Sequence, residues 1–476
     1  MSDKKQIGQI FTPEFLVKEI LDTADYNGAN IVGRHIIDNS CGAGAFLCEI
    51  VRRYIKNCSK DIIKQHLETY IHGIEIDPNA YSQCIDNLKK TATEYGISDV
   101  NWDIKNSDTL TVDEFDGKMD FVVGNPPYVR VHNLENYDEV KKFKFAEGGM
   151  TDLYLVFFEI GFNMLKKGGK LCYITPSSWI NSVAGFVMRK YISYHHNLLK
   201  LIDLGHFQAF EATTYTMISL FEKDVRHEAF EYQKYGDTNS EKLKIEETII
   251  GNMMYLSDSK TLKELRNIYT AAYKQYVHVK NGFATLADSV FIGEKFPFEK
   301  YLIPTIKAST GKWYMAFYPY DKNGKPQPKE KIFADVKISD YLENHKSQLL
   351  KGKSENENPE WYLYGRTQAL KDVWSQKYTV NTILKDVKSV KINTVPSGSG
   401  VYSGLYILTS VSKEILTQIL CSQDFIKYVS VLKKYKSGGY YTFNSKELEA
   451  YLNYKLSNLF KDKSYAKQQR LSESGF

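Results

Sequence analysis

Four short apolar segments, each closing on a polar turn, succeed one another in the first 128 residues, and their order constrains the fold more than any other feature. Ile36-Ile37-Asp38-Asn39-Ser40-Cys41-Gly42-Ala43-Gly44-Ala45-Phe46-Leu47 reads as a short buried strand, a glycine turn and the start of a helix. Such a turn lets a ligand approach the backbone closely. Tyr70-Ile71-His72-Gly73-Ile74-Glu75-Ile76-Asp77 reads as a second strand ending in carboxylates. Glu75 is the better placed of these to accept two ribose hydroxyls, with Asp77 next. A third segment, Val100 to Lys105, runs into Asn106-Ser107-Asp108 and puts another carboxylate at the same edge. The fourth, Met119-Asp120-Phe121-Val122-Val123-Gly124, leads into Asn125-Pro126-Pro127-Tyr128. Taken singly, a G-x-G reads equally as a plain turn or a nucleotide-like site, and each carboxylate as a helix cap or a solvated group. The ordered series instead predicts an α/β sheet whose strand ends gather ligand groups.

In the last of these loops, Pro126 and Pro127 fix two successive φ angles and hold the backbone carbonyl in place. Tyr128 adds a flat face for stacking. The alternative is a strand-terminating turn, since Asn-Pro and Pro-Pro punctuate loops in general. Downstream, Thr151 to Phe158 reads as a strongly apolar helix, Gly168 and Gly169 as its cap, and Lys170 to Pro176 as a strand. Leu198 to Leu204 and Met217 to Phe221 read as strands that complete a seven-stranded sheet. Upstream, Thr12 reads as the N-cap of a helix with Pro13 at its first position, running through Phe15, Leu16 and Ile20.

The order of these motifs resembles the S-adenosylmethionine-dependent DNA adenine-N6 methyltransferases of the TaqI-type (gamma) class, closely over the first half. Gly8-Gln9-Ile10-Phe11-Thr12-Pro13 matches the segment that precedes the cofactor strand there and packs over the methionine part of the cofactor. The resemblance implies a Rossmann-like class I methyltransferase domain, S-adenosylmethionine as cofactor and no metal. It assigns Thr12, Asp38, Ser40, Gly42, Gly44, Glu75, Asp77 and Asp108 to the cofactor, with Asp38 near the methionine moiety and Asp108 near the adenine amino group. Position 39 is Asn here where many relatives carry Pro. Asn125, Pro126, Pro127 and Tyr128 become the catalytic loop. An adenine N6 amino group delocalises its lone pair into the ring and is a poor nucleophile. Asn125 Oδ1 and the Pro126 carbonyl can each accept one of its N–H bonds, drawing the nitrogen toward tetrahedral geometry and aiming the lone pair at an incoming methyl. Phe210 matches the aromatic placed against the flipped base opposite Tyr128; ordinary core packing is the alternative from composition alone. Asp152 reads as structural, the proton leaving to water after transfer.

At 476 residues, 43% of them hydrophobic, the chain is long enough for two or three domains and rich enough to fill their cores. The expected division is a catalytic domain over 1–225, a polar connecting segment over 226–270 and an α+β target-recognition domain over 271–476. Charge separates the parts. Residues 271–476 carry 31 Lys+Arg against 19 Asp+Glu, a net of +12, and the remainder 31 against 38, a net of −7. A basic second half suits a DNA backbone lying against it, although lysines on any solvated surface look the same. Val279 to Thr285 followed by Phe291-Ile292-Gly293 resembles the entry to the target-recognition domain. Within it, the aromatic-rich stretches Trp361 to Gln368 and Lys433 to Tyr441 are candidates for DNA contact and stacking: Arg366 and Gln368 can pair bidentately with guanine and adenine, and Lys433, Lys434, Lys436 and Tyr440 offer phosphate contact and stacking. For Arg366 a phosphate or a structural carboxylate is the preferred alternative. Ser397-Gly398-Ser399-Gly400 reads as a flexible loop or tight turn.

No uncharged apolar run of 18 residues appears, no signal-peptide core follows the charged first residues, and the cysteines at 41, 48, 58, 84, 172 and 421 form no C-x-x-C pair. A cytoplasmic protein in a reducing compartment is expected, with Cys41 a small packing residue. No P-D followed by E-x-K stands ahead of Gly8, so a modification enzyme with a separate cognate restriction endonuclease is expected. Methylation of a protein glutamine-N5 amide, or of RNA adenine-N6, would share the same loop. Outside enzymes, the alternative is a catalytically inactive DNA-binding specificity subunit.

Overall fold

The computed structural model describes residues 12–131, 134, 137–147, 151–208, 210 and 214–473, with side chains described as far as 461. Two compact units divide it, Met1–Glu264 and Leu265–Phe476.

The first unit is built on one sheet: β1 Ile36–Asp38, β2 Ile71–Glu75, β3 Asp103–Asn106, β4 Met119–Gly124, β5 Leu165–Pro176, β6 Leu198–Asp203, β7 Thr216–Glu222, β8 Phe230–Lys234 and β9 Ser240–Leu243. Their order is β3-β2-β1-β4-β5-β7-β6-β8-β9. The strands from β3 to β5 run parallel, and β7 lies antiparallel between β5 and β6. This is the class I methyltransferase arrangement, and it brings the carboxyl ends of β1, β2, β3 and β4 to one edge. Two strands more than the expected seven are present, because residues 230–243, expected in the connector, pair onto β6 through β8.

Four helices flank this sheet around that edge: α1 Glu14–Thr23, α2 Ala45–Asn57, α3 Pro78–Thr93 and α4 Leu153–Met164. Strand residues alternate between faces. Ile36, Phe121, Val123 and Cys172 join Leu16 and Ile20 of α1, Leu47 of α2 and Leu88 of α3 in one core. On the opposite face Tyr173 meets Phe158 of α4, ring centroids 5.5 Å apart. Burial around nearly its whole circumference explains why α4 is apolar without a clear stripe. That helix stops at Met164, before the glycines expected to cap it. Gly168, at φ +76°, instead sits in an irregularity of β5, where the ladder with β4 jumps from Met119–Leu165 to Phe121–Lys170.

The second unit is α+β. One four-stranded sheet runs Val277–Asn281, Leu405–Thr409, Lys377–Val380, Ile392–Val395 and another Ile292–Gly293, Lys312–Phe317, Leu302–Lys307, Gly400–Tyr402. A three-stranded ribbon joins Ile383–Leu384, Tyr440–Thr442 and Tyr435–Lys436. Phe283, Phe291, Phe317, Tyr318, Trp361 and Tyr364 share one aromatic core. No helix among the described residues is long and apolar enough to cross a membrane.

Candidate active site

Two glycines shape the turn after β1. Gly42 and Gly44 adopt φ +52° and +88°, left-handed values that cost an L side chain strain. A Cβ on Gly44 would stand 2.8 Å from Cys84 Sγ on α3, so the missing side chain also sets how closely turn and helix pack. Cys41 is buried beneath the same turn, its Sγ 4.0 Å from that of Cys84, as the packing reading expects. Glu75 ties the turn to β2. Its Oε2 accepts from Gly42 N–H and its Oε1 from Asp77 N–H, both at 2.8 Å. Burial pushes this carboxyl above its ordinary range while the two N–H donors oppose the rise. Each of its oxygens retains capacity for a further donor.

Asp38 closes β1. Its Oδ1 accepts from Ser40 N–H at 3.1 Å and lies against the backbone of β4, 2.7 Å from where a Cβ on Gly124 would be. Burial, followed by the charge of Glu75, pushes Asp38 up to about 7. Asp77 caps α3, accepting from Asn79 N–H at 2.9 Å with Pro78 opening the helix. Asp108 accepts from Leu110 N–H at 3.0 Å. Capping does not withdraw either carboxylate from the cavity, which both also line.

That cavity, about 1110 Å³, is walled by Thr12, Asp38, Ser40, Gly42, Gly44, Glu75, Asp77, Asp108, Asn125 and Pro127. It slightly exceeds the roughly 300–1,000 Å³ of small-molecule sites. Asn125 Oδ1 and Ser40 Oγ are buried at it without a hydrogen-bond partner among the described residues. Orphaned polar atoms are costly unless a ligand satisfies them. Asn125 Nδ2 is held by Thr12 Oγ1 at 3.0 Å. This bond corrects the capping role expected for Thr12: Pro13 occupies the N-cap, accepting from Leu16 and Val17 N–H, and the threonine one residue earlier turns to the loop of Asn125. Gly8 to Phe11, ahead of it, lie outside the described residues.

Pro126 is buried and off the cavity wall. The Tyr128 hydroxyl donates to Ile174 O at 3.1 Å, and its ring meets Phe210 with centroids 6.4 Å apart and planes 83° across. The two aromatics expected to flank a base are therefore neighbours, but edge to face. Parallel faces far enough apart to hold a base are not formed between them.

Sequence reasoning overlooked one buried pair. Tyr173 O–H donates to Asn39 Oδ1 at 2.8 Å across 134 positions of sequence, and Thr109 Oγ1 donates to Asn39 O at 2.7 Å. Tyr173 pairs in register with Gly124, so this bond passes beside the strand that ends in Asn125. The departure from Pro at position 39 was its only local signal.

In the second unit several expected contacts are committed elsewhere. Trp361, Tyr362, Leu363 and Tyr364 are core. Gln368 Nε2 donates to Gly282 O at 2.6 Å, which takes its amide donor away from base reading. Lys434 is paired with Glu447. Lys433, at φ +53°, is the left-handed residue ending the helix Gln423–Val431. The Ser397-to-Gly400 loop is tied down, Ser397 Oγ bonding Trp374 O at 2.7 Å and Ser399 O accepting from the buried Lys377 Nζ at 2.9 Å. Arg366, Lys436 and Tyr440 remain exposed.

Residues 46–210 match the family model of the Eco57I restriction-modification methylase. The chain is 26% identical to the type II restriction enzyme and methyltransferase RM.Eco57I of Escherichia coli, over 76% of this chain and 48% of that protein. It is 29% identical to the type II methyltransferase M.BstVI of Geobacillus stearothermophilus, over 43% of this chain and 39% of that one. The modification methylase CviBIII of Paramecium bursaria Chlorella virus NC1A is 32% identical over 40% of this chain and 43% of its own. The chain thus spans under half the length of these curated relatives. Its fold is similar to the type IIL restriction-modification enzyme MmeI solved in complex with DNA, with a TM-score of 0.57 and 12% identity, covering 90% of this chain and 64% of that one.

Proposed function

We propose that this chain, similar to methyltransferases of restriction-modification systems, transfers a methyl group from S-adenosylmethionine to the N6 amino group of an adenine flipped out of duplex DNA. The observation that carries the reading is Asn125 Oδ1, buried, without a partner among the described residues and held over the cavity by the Thr12–Asn125 bond. An acceptor so placed suits an amino N–H, and the Pro126 carbonyl serves the second. S-adenosylmethionine is the cofactor, and its sulfonium, when bound, supplies an activated methyl and a good leaving group. Gly42 and Gly44 open the backbone to it, Glu75 and Asp77 accept from its ribose, Asp108 from its adenine, and Asp38 with Ser40 meets the amino-acid end. The base must leave the stack to reach Asn125. Entry between Tyr128 and Phe210 requires Phe210 to turn from its edge-to-face contact, after which both rings recover part of the few kcal/mol of unstacking. The basic second unit holds the duplex. The protein acts in the cytoplasm as the modification activity of a restriction-modification system, alongside a separate endonuclease.

The test is transfer of labelled methyl from S-adenosylmethionine to unmethylated duplex DNA, with nucleosides identified by mass, beside an Asn125→Ala variant. N6-methyladenine from the parent and a loss of about 10²–10³-fold in the variant is the expected result. Label found only in RNA or on a protein glutamine overturns the substrate and keeps the catalytic domain. Cofactor binding without transfer to any acceptor would favour the inactive specificity subunit.

A further inference from the structure

The ribbon Ile383–Leu384, Tyr440–Thr442, Tyr435–Lys436 joins segments more than fifty residues apart in sequence and has two unlike faces. Leu384 is fully buried on the inner one. On the outer face, Lys436 pairs with Tyr440 across one ladder and Ile383 with Thr442 across the other. Continuing the second register by one residue sets Lys385 beside Tyr440, and Lys385 Nζ stands 5.9 Å from the centre of the Tyr440 ring. A row Lys385–Tyr440–Lys436 therefore crosses all three strands. Lys385 and Lys436 are exposed, as are Tyr440 at 37% and Ile383 at 47%. Gly439, at φ +81°, lies under the Lys385 stem: a Cβ there would be 3.5 Å from its Cε, so the glycine turn leaves the lysine room along the ribbon tip.

We infer that this outer face is a nucleic-acid contact surface, in which Lys385 and Lys436 each neutralise a backbone phosphate of duplex DNA and Tyr440 packs between them on the sugar-phosphate chain. The inference rests on the DNA reading of the catalytic unit and deepens it by naming where the duplex is held. Three features select this partner. The Lys385 ammonium stands over the Tyr440 ring while Lys436 lies in register with that tyrosine on its other side, and the surrounding 271–476 segment carries the net charge of +12. A paired β-ribbon is also narrow enough to track a groove or a backbone. Neither lysine has an ion-pair partner among the described residues, whereas Lys434, two residues before Lys436, is spent on Glu447. Edge lysines also discourage strand-to-strand aggregation, but that role asks nothing of the tyrosine between them.

The experiment measures equilibrium binding of a fluorescent duplex to the full chain by anisotropy between 50 and 200 mM salt, for the parent, K385A/K436A and Y440F/Y440A. Thermal melting of the full chain by circular dichroism checks that each variant is folded. Loss of two phosphate contacts should lower the slope of log K against log salt by about 1.8 and weaken binding about tenfold or more at the lower salt. Y440A should weaken binding several-fold with the slope unchanged, and Y440F should restore it. A folded K385A/K436A protein with parental affinity and slope overturns the inference, and so does a parent that binds no duplex. Normal binding with no methyl transfer overturns the proposed reaction and leaves the ribbon standing.

Discussion

Replacing Asp38 by Asn should make the ligand-free protein more stable, and increasingly so as the pH rises. Asp38 is 1% exposed and has no cationic partner among the described residues, and burial lifts its carboxyl from near 3.8 to about 7. Between those values the unfolded chain is ionised at this position while the folded chain keeps the proton. The unfolded state then binds fewer protons than the folded one, so stability falls as pH rises through that window and levels off above 7. At 1.36 kcal/mol per pH decade the full displacement is worth about 4 kcal/mol. Asn is nearly isosteric, still accepts from Ser40 N–H, and carries no charge to desolvate. D38N and the parent should match near pH 4 and diverge to about 4 kcal/mol by pH 8, on the order of 10 °C in Tm. Urea and thermal unfolding at pH 5, 6, 7 and 8 read this directly. A difference that is flat with pH, or a variant less stable than the parent at pH 8, would refute the argument. With the proposed placement of the cofactor, S-adenosylmethionine should stabilise the parent more than D38N, because a cationic amino-acid end beside Asp38 would lower the cost of ionising it.

Gly44→Ala brings a methyl within 2.8 Å of Cys84 Sγ at a φ of +88°, so it should cost about 1–3 kcal/mol and weaken cofactor binding at least tenfold by calorimetry. Pairing it with Cys84→Ala should recover the contact part of the loss and leave the backbone part. Lys377 is buried with its ammonium donating to the carbonyls of Asp372, Val373, Ser375 and Ser399. Lys377→Met should therefore cost about 3 kcal/mol or more in urea unfolding, by leaving those acceptors unpaired. His35 is pushed below its usual value by burial and by neighbouring His72. Its stabilising contribution is present above pH 6.5 and lost as pH falls through its depressed folded value, so His35→Asn should flatten the acid limb of a Tm–pH curve below pH 6.5.

The strand ends of the first unit were legible because their signals are local. An apolar run buried on both faces followed at once by its turn needs no knowledge of distant contacts. Glu75, Asp77 and Asn125 each sit at such an end, and the cavity joins them to Asp108, which follows the edge strand β3, where only Ile104 is buried. Thr12 and Gly168 were misread for the opposite reason. Both match local capping rules, but a distant partner decides them: Asn125 takes the threonine hydroxyl, and the ladder with Met119 starts β5 ahead of the glycines. The second unit shows the same limit more strongly. Aromatics that read as stacking groups fill its core, Gln368 bonds a carbonyl 86 positions away, and Lys385 reaches Tyr440 from another part of the chain. Composition tells that such a surface is basic but not which lysines are already spent.

The Tyr173–Asn39 bond has a consequence for how this site changes over time. A proline at position 39 stiffens the turn by its own ring, with no help from elsewhere. Asn39 instead borrows its rigidity from a hydroxyl on β5, and leaves its own amide stranded if that hydroxyl is lost. Drift at the two positions is thus coupled. Among sequences of this type, an amide at 39 should travel with a tyrosine at 173, while a proline at 39 should release position 173 to any apolar residue that fits against Phe158. The two solutions are separated by a double substitution whose single intermediates are each less fit.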